Sequence, residues 1–549
     1  MTQETREETV GFVLHGITLS LDVDEQDACA VAASELKRAG MNPARLRFEI
    51  VKRSVDARKK DRVSLVYSVA VRAADGGALT VPSRLTHAKK TKYTVSPLYD
   101  RSLSVSYGSE RTSLPPLVVG MGPAGLFCAL ILAENGYRPI LVDRGDNVRE
   151  RCEKHERFVR EGVLDTESNI QFGAGGAGTF SDGKLMTRIN DPRCSYVLRR
   201  FCDFGAPEEI LIAAKPHIGT DLLLGVVDGM LRRIEELGGT VLYRCRLESI
   251  RYTANGDPIA LTTRGEIACS SLCLAVGHSA RDTYEWLMDH GYMVEVKPFS
   301  VGVRIEHLQE KIDHALYGSF AGHPRLGRGE YHLSDTTSGR GVYTFCMCPG
   351  GQVVAAASEE GGVVVNGMSR FARDGRNANS AVCVSVRPED HGATPRSAIA
   401  FQRQLERQAY AIGGADYSAP IQTVGDFLNG TKGSEPTTVV PTYRDGRVRL
   451  ASMDDVLPSF VCEELRRGLR SFERKLEGFA DPCAILSGVE TRTSSPVRLL
   501  RNENMTAVGH DRIYPCGEGA GYAGGITSAA VDGIRAAEEM MKRFAPMND

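Results

Sequence analysis

The sequence predicts an α/β fold in which a parallel-sheet domain is split by an inserted α+β domain and preceded by a small α/β domain. Three observations predict it. A short apolar run at 117–119 meets a glycine-rich turn, a second glycine-rich strand–turn–helix pattern stands at 513–526, and the 549-residue length suggests three to four domain-sized pieces. We therefore delimit an N-terminal α/β domain at 1–112, the parallel-sheet domain at 113–296 and 478–549, and the inserted domain at 297–477.

Composition and charge place the chain among globular proteins. Hydrophobic residues make up 42% and charged residues 25%, and the net charge of −2 gives no bulk attraction to nucleic acid or to an anionic membrane. No run of 18 apolar residues occurs, and the polar, acidic start does not resemble a signal peptide. The 14 cysteines include no CxxC pair, which indicates reduced thiols, a cytoplasmic location and no metal site.

The N-terminal domain is expected to alternate strands with one helix. Strands are predicted at 11–14, 46–51 and 63–69, and a helix at 25–39, ending before Gly40. The basic segment 52–60, KRSVDARKK, is either a solvated hairpin connection or a contact for phosphate or nucleic acid. The hairpin is favoured, because the net charge is near zero and no aromatic residues interleave with the basic ones.

The glycine-rich turn carries the main functional argument. Gly120 permits a tight turn, Gly122 lets the main chain approach a pyrophosphate, and Gly125 lets the following helix pack on the sheet. The helix is predicted to reach residue 135, and a second strand at 139–142 ends at Asp143, where a carboxylate can bind a ribose. This full strand–GxGxxG–helix–strand context predicts a Rossmann-type domain that binds a dinucleotide, with helix N-terminal amides facing the phosphates.

Three further segments point to FAD. The loop 172–185 has four glycines in six residues, the strand 271–278 runs into a glycine-containing bend, and the segment 513–526 leads into a helix that can stabilise a reduced flavin ring. Glu518 is a candidate for the ribityl hydroxyls. A flexible linker, an ordinary strand end and an ordinary strand–turn–helix remain the alternatives for these segments.

The adenine side of the cofactor is expected near a helix that starts with Thr220 as its N-cap and ends at Leu237, followed by a strand at 241–247. The complete set predicted to bind the cofactor is Gly120, Gly122, Pro123, Ala124, Gly125, Asp143, Arg144, Gly175, Gly176, Gly178, Thr179, Ser181, Asp182, Lys184, Leu185, Arg246, Leu247, Ala275, Val276, Gly277, His278, Gly517, Glu518, Ala523, Gly524, Gly525 and Ile526.

The inserted domain is expected to cover the flavin face, with strands at 297–305, 353–357 and 382–386 and a helix at 401–412. Three residues are candidates for catalysis. Arg492 could bind an anionic substrate or stabilise the reduced ring, or could lie in a surface turn; His278 and Lys184 could donate protons near flavin N5, or only bind the cofactor. For Cys346, Cys348 and Cys516, buried packing is favoured over a redox role.

The sequence resembles the bacterial and plastid family of uncharacterised FAD-dependent dehydrogenases, sometimes called NAD(FAD)-utilising dehydrogenases. The segments that carry the resemblance are 52–60, 118–125, 171–184, 275–284, 344–351, 488–497 and 514–528. It implies a glutathione-reductase-like FAD fold with a small N-terminal domain and an inserted second domain. It implies FAD as the cofactor but does not define a substrate.

The function expected from these patterns is an FAD-dependent oxidoreductase that passes hydride to or from flavin N5, with an unknown small molecule as substrate. No second strand–GxGxxG–helix unit occurs, so NAD(P)H is a candidate only as a transient electron donor. The first alternative is a flavin-dependent RNA-modifying or nucleic-acid-associated protein that uses the basic segment. The second is a flavin-binding scaffold without turnover. No membrane partner is expected, and the oligomeric state is not predicted.

Overall fold

The N-terminal domain is an antiparallel sheet with one helix packed on it. The computed structural model describes residues 9–86, 92–99 and 103–547. The strands Leu46–Asp56, Ser64–Ala73, Thr9–Ser20 and Thr94–Tyr99 lie side by side in this order. The helix Asp27–Arg38 buries Ala28, Ala32 and Leu36, one turn apart, against the sheet. The interpretation of 52–60 as a hairpin connection is wrong at its start, because 52–56 still pair within the sheet.

The second domain is the predicted parallel sheet. Its five strands, in spatial order, are Ile513–Pro515, Leu272–Leu274, Leu117–Val119, Ile140–Val142 and Thr240–Leu242. All four strand pairs are parallel, and the C-terminal strand pairs next to Leu272–Leu274. The helices Pro123–Glu134 and Ile526–Arg543 pack so closely that a Cβ on Gly533 would lie 1.9 Å from the carbonyl oxygen of Ala124. The two separated stretches of chain therefore form one domain, and the predicted fold class is confirmed.

Two local predictions in this domain are wrong. The segment 241–247 is not one strand, because Arg244 takes a positive φ of 51° and turns the chain from the parallel sheet into an antiparallel one. The Arg244 guanidinium holds this turn through ion pairs with Asp146 and Asp165, at 2.6 Å each. Thr220 is not a helix cap either, because its hydroxyl donates to the carbonyl of Thr179 instead.

The inserted domain is built on a seven-stranded sheet. Its strands, in spatial order, are Ser334–Asp335, Val342–Cys348, Asn377–Val386, Phe299–Leu308, Ile485–Glu490, Ala419–Thr423 and Val448–Leu450. The helices Pro395–Ile412 and Ser459–Lys475 bury Leu405 and Leu469 in the core of this domain. Because Ile485–Glu490 pairs with Phe299–Leu308, the sheet extends beyond the expected boundary at residue 477.

The remaining elements connect the domains. The other helices are Pro43–Arg45, Ser83–Thr86, Val148–Glu161, Ala177–Phe180, Arg193–Asp203, Glu208–Leu211, Thr220–Glu236, Arg281–Asp289, Gln309–Tyr317, Gly318–Phe320, Pro388–His391, Val424–Asn429, Tyr443–Gly446 and Met453–Val456. The other strands are Leu247–Tyr252, Pro258–Thr262, Gly265–Ala268, Val294–Val296, Gln352–Ala355, Val365–Met368 and Val497–Leu499. Among the residues described, no helix is long and apolar enough to cross a membrane, and no cluster of His, Cys, Asp or Glu could hold a metal ion.

Candidate flavin site

A cavity of about 560 Å³ lies where the carboxyl ends of the parallel strands meet the inserted domain. The parallel-sheet domain contributes the glycine-rich turn after residue 119, the loop 171–184, the bend 275–279 and the segment 517–526. The inserted domain contributes a second wall, which includes Glu330, Tyr331, Thr344, Cys346, Asn366 and Glu490. The glycine-rich turn and the three further segments that the sequence predicted for FAD thus converge on one cavity.

The glycines bring separate backbones into direct contact. Gly120 has a φ of +106°, and a Cβ at this position would lie 2.3 Å from the carbonyl oxygen of Ala275. Gly176 has a φ of +61°, and its Cβ would lie 2.8 Å from the Cα of Gly122. A larger residue at either position would push these backbone segments apart beside the start of the helix Pro123–Glu134, whose N-terminal amides are available to a phosphate. We call the space beside Gly120, Gly122 and Gly176 the glycine cradle. It suits the pyrophosphate of a dinucleotide.

The carboxylate of Asp143 joins two of these segments. It accepts hydrogen bonds from the backbone N–H groups of Met121 at 2.8 Å, Gly145 at 2.8 Å and Gly173 at 2.9 Å. The side chain thereby fixes the glycine-rich turn relative to the loop 171–184 and still lines the cavity. The ribose contact of Asp143 stays a prediction, since the structural role alone accounts for a buried acid at this position.

A small side pocket continues from the glycine-rich turn. Arg144, Arg246 and Leu247 line it, and it shares Gly120 and Asp143 with the main cavity. The Arg144 guanidinium, held by Glu167 and Asp282, lies 4.4 Å from the centroid of the Phe172 ring. Of the segments predicted for the adenine side, Arg246 and Leu247 line this pocket and the helix that starts at Thr220 does not, so the adenine contact stays a prediction.

His278 supplies a polar atom that the described protein atoms leave unsatisfied. Its Nε2 is buried without a hydrogen-bond partner among the described residues, and its Nδ1 lies 3.7 Å from Glu518 Oε2. An unpartnered buried donor or acceptor costs free energy, so a ligand that bonds to it is favoured. Because His278 lines the cavity together with the glycine cradle, the residues present fit a polar, dinucleotide-sized cofactor such as FAD.

Lys184 belongs to a buried cluster of charges. Its Nζ lies 2.9 Å from Asp182 and 3.1 Å from Glu330, and Arg373 pairs with the same two carboxylates. Burial alone would raise the pKa of Asp182, but Lys184 and Arg373 outweigh it and lower that pKa to about 2. Burial would likewise lower the pKa of Lys184, but the two carboxylates raise it. Lys184 is therefore held as an ammonium group, which favours a fixed positive charge over proton exchange.

Arg492 is engaged within the protein. Its guanidinium donates to both oxygens of Glu406, at 3.2 and 3.0 Å, and to the hydroxyls of Ser279 and Ser358. The residue is 5% exposed, so it does not lie in a surface turn. It lines the cavity, but its contacts join the inserted domain to the bend at 275–279. A direct substrate contact by Arg492 stays a prediction.

The wall contributed by the inserted domain contains a group of residues that sequence reasoning missed. Arg304 donates from Nε to Glu490 at 2.9 Å and from Nη1 to the carbonyl of Cys346 at 3.2 Å. Burial raises the pKa of Glu490 even though Arg304 opposes the shift. An arginine inside the otherwise apolar run 299–305 was a usable signal, because a buried charge needs a partner.

Cys346 differs from the expectation of a buried thiol. It takes a φ of +45° at a bulge in the strand Val342–Cys348, is partly exposed and lines the cavity. Hydrogen bonding with Cys348 lowers the pKa of its thiol, and Arg304 and Lys184 contribute to the shift. Cys348 and Cys516 are buried, as expected, and the Cys516 sulfur lies 3.2 Å from that of Cys273.

Most predicted cofactor residues line the main cavity, and the others support it. Those outside both the main cavity and the side pocket are Gly125, Gly175, Thr179, Leu185 and Ala523. Their neighbours show why: a Cβ on Gly125 would lie 1.8 Å from the Gly120 carbonyl oxygen, and one on Gly175 would lie 2.0 Å from Thr179 Oγ1. They pack behind the cradle and do not face its interior.

Comparisons with known proteins agree with this site. Residues 298–493 match the family described as "FAD-dependent protein, C-terminal domain-like", and residues 14–72 match a domain of unknown function. FAD is thereby confirmed as the cofactor, in agreement with the cradle. Similar solved structures include CtdE in complex with FAD, with 11% identity, 78% of this chain and 87% of that chain covered and a TM-score of 0.31. The amino acid oxidase NikD shows 12% identity, coverages of 78% and 93% and a TM-score of 0.31.

A full-length relative defines the family. An uncharacterized protein of Clostridium beijerinckii is 45% identical to this chain, and the alignment covers 97% of this chain and 98% of the clostridial protein. The chain therefore belongs to the same family as the clostridial protein, and it carries the C-terminal domain of FAD-dependent proteins.

Proposed function

We propose that this protein is an FAD-dependent oxidoreductase, a dehydrogenase or reductase in which a hydride passes between a small substrate and flavin N5. The observation that carries the proposal is the continuity of the cavity. The glycine cradle and the polar wall of Glu490, Cys346 and Asn366 line the same space, so a second reactant can lie beside the cofactor. FAD, when bound, supplies the hydride-accepting or hydride-donating ring.

The side chains of the wall suit the proton transfer that accompanies a hydride transfer. A substrate that loses a hydride must also lose a proton to form a neutral double bond. Cys346, with a pKa lowered by Cys348 and nearby cations, and Glu490, with a pKa raised by burial, have both shifted toward the range where a general base works near neutrality. We assign one of these two groups the role of proton acceptor.

Two other cavity residues have supporting roles. His278 presents its unpartnered Nε2 to the cofactor and orients it. Lys184, fixed between Asp182 and Glu330, places a positive charge at the cavity, which favours an anionic substrate or a negatively charged reduced ring.

The proposed electron donor rests on the family resemblance, and the proposed location rests on the state of the cysteines. The resemblance to FAD-dependent dehydrogenases supports NAD(P)H as a donor that binds transiently across the cavity. None of the fourteen cysteines, all of which lie among the described residues, forms a disulfide, which is in keeping with a cytoplasmic protein.

The nucleic-acid interpretation has less support. Arg53 and Arg58 of the basic segment line a cavity between domains, and each already pairs with an acidic residue, Arg53 with Glu25 and Arg58 with Asp56. If the protein binds RNA through this segment, the affinity should fall steeply with salt and with neutralisation of Lys59 and Lys60.

Anaerobic reduction of the purified, flavin-loaded protein tests the proposal. A panel of donors that includes NADH and NADPH is added, and bleaching of the flavin absorbance is followed, with dithionite as the positive control. We expect at least one donor to reduce the flavin, and the Glu490→Gln or Cys346→Ser variant to slow that step while retaining its flavin. A flavin that dithionite reduces but no donor in a broad panel reduces would favour the scaffold interpretation.

A further inference from the structure

A second cavity, of about 1040 Å³, lies between the N-terminal domain and the rest of the protein. The strand Leu46–Asp56 and the turn after it form one wall, the segment 213–217 forms another, and the segment 322–330 with 371–373 forms the third. Nothing in the glycine cradle contributes to it. The cavity is therefore distinct from the pyrophosphate cradle.

Cationic side chains dominate the lining of this cavity. The six are Arg53, Arg58, Lys215, Arg325, Arg328 and Arg373, against three acidic side chains, Glu209, Asp313 and Glu330. Three of these cations pair with acidic residues outside the lining: Arg53 with Glu25, Arg58 with Asp56 and Arg373 with Asp182. Lys215, Arg325 and Arg328 have no such outside partner among the described residues, and cations that line a concave site attract anions.

Two of the cations have capacity left for a ligand. Lys215 is 55% exposed and lies 4.0 Å from Glu330, the limit for an ion pair. Arg328 is 38% exposed and uses Nε for a carbonyl and Nη1 for Asp313. By contrast, Arg325 donates to the carbonyls of Leu21 and Val23 and so ties the N-terminal domain in place.

The N-terminal domain is docked rigidly enough to form a wall. The backbone of Arg53 exchanges hydrogen bonds with the segment 212–214: its N–H donates to the Ile212 carbonyl at 2.6 Å, and its carbonyl accepts from Ala214 at 2.8 Å. Arg325 also donates to the hydroxyl of Tyr67 at 2.8 Å. The backbone segments that carry the cations of both domains are therefore held next to each other around the cavity.

The two cavities share a boundary. Lys215 and Glu330 line both of them, and Glu330 is the carboxylate that pairs with Lys184 at the flavin site. We propose that the second cavity binds a small polyanionic ligand, a phosphorylated or polycarboxylated metabolite, through Lys215 and Arg328. The ligand then lies next to the flavin site, and the N-terminal domain has the function of completing this binding site. The proposal does not depend on the direction or occurrence of hydride transfer.

An RNA ligand is disfavoured by the same geometry. The positive groups are distributed over walls from three parts of the chain and face a common interior. Binding of a nucleic acid backbone needs a groove that tracks successive phosphates, with stacking surfaces for bases. A compact anion can contact cations on several walls of the cavity at once, whereas an extended nucleic-acid strand cannot.

Calorimetric titration of the FAD-loaded protein at low ionic strength tests the proposal, with sodium pyrophosphate and citrate as separate probes. We expect one of the two to bind, and its identity distinguishes phosphate from carboxylate chemistry. Lys215→Ala and Arg328→Ala should each weaken binding about tenfold, as the loss of a charge-assisted hydrogen bond does. Lys215→Arg should retain most of the affinity.

Arg149→Ala is the matched control, since it removes one positive charge from a side chain 89% exposed on the helix Val148–Glu161. Each variant is checked for unchanged flavin content and circular dichroism, so that a folding defect is not mistaken for lost binding. No binding of either anion to the wild type would overturn the proposal. So would equal weakening by Arg149→Ala, or binding of a short RNA that depends on Lys215 and Arg328 while both anions fail.

Discussion

The buried ion pairs of Glu406 allow a quantitative test of how the inserted domain is joined to the flavin site. Glu406 Oε1 lies 2.7 Å from Arg281 Nη2, and its Oε2 lies 3.0 Å from Arg492 Nη2. All three side chains are 2% exposed. The substitution Glu406→Gln keeps the shape of the side chain but leaves two buried guanidinium groups without this carboxylate.

The expected loss in free energy of unfolding depends on the partners that the two arginines keep. Removal of one partner from a buried pair costs about 3–5 kcal/mol, because the other charge stays desolvated. Arg281 retains Glu359 at 2.8 Å, so we expect about 3 kcal/mol, the lower end of the range. The second change Arg492→Met, made in the Glu406→Gln background, removes one uncompensated charge and should restore at least about 1 kcal/mol.

The assay is urea unfolding followed through the fluorescence of the one tryptophan, Trp286, which lies on the same helix as Arg281.

The pH dependence of the free energy of unfolding gives a second test. Burial would raise the pKa of Glu406, but Arg281 and Arg492 outweigh it and hold it well below the ordinary 4.5. The stability that the ionised Glu406 carboxylate gives the protein is thus complete above about pH 4.5, and it is lost as the pH falls toward the lower folded-state pKa of Glu406. Glu406→Gln should lack this acid-dependent component. A variant within 1 kcal/mol of the wild type, with no recovery from Arg492→Met, would refute the reasoning.

Further predictions concern the cavity itself. Because the pKa of the Cys346 thiol is lowered from its ordinary 9.0, its alkylation by iodoacetamide should reach half its maximal rate below pH 9; half-maximal reaction at or above pH 9 would contradict the assigned environment. Cys348→Ser replaces the thiol that hydrogen-bonds Cys346 and should change that midpoint. Gly176→Ala should weaken FAD binding about tenfold or more, measured by equilibrium dialysis, because its Cβ would lie 2.8 Å from the Gly122 Cα. Gly430→Ala, at a similar φ of +68° with open space around it, should cost about 1 kcal/mol of stability and leave FAD binding intact.

The parallel-sheet domain could be predicted from the sequence because its signals are local. The run 117–119, the glycines that follow it and the strand ending at Asp143 stand within thirty residues of one another. Each glycine has a steric reason that a single sequence reveals, such as the close approach of Gly125 to the Gly120 carbonyl. The cofactor followed from the same local motifs.

The other wall of the cavity could not be predicted in this way. Glu490 reaches the cavity through pairing between distant strands of the inserted sheet, Asn366 lies on a separate two-stranded sheet, and Glu330 lies outside the strands, so no local motif specifies that they meet. The partly exposed position of Cys346 depends on a bulge opposite the strand Asn377–Val386. The strand break at Arg244 depends on Asp146, almost a hundred residues earlier in the chain. These features depend on residues that are neighbours only in the folded structure, so sequence spacing does not reveal them.

The most direct test of the central claim is a titration of FAD into protein from which any bound flavin has been removed, followed by quenching of flavin fluorescence. The structure predicts saturable binding of one FAD per chain in the wild type and strongly weakened binding in Gly176→Ala. Protein that remains folded but takes up no FAD, or that binds it equally well with Gly176 replaced, would contradict the account.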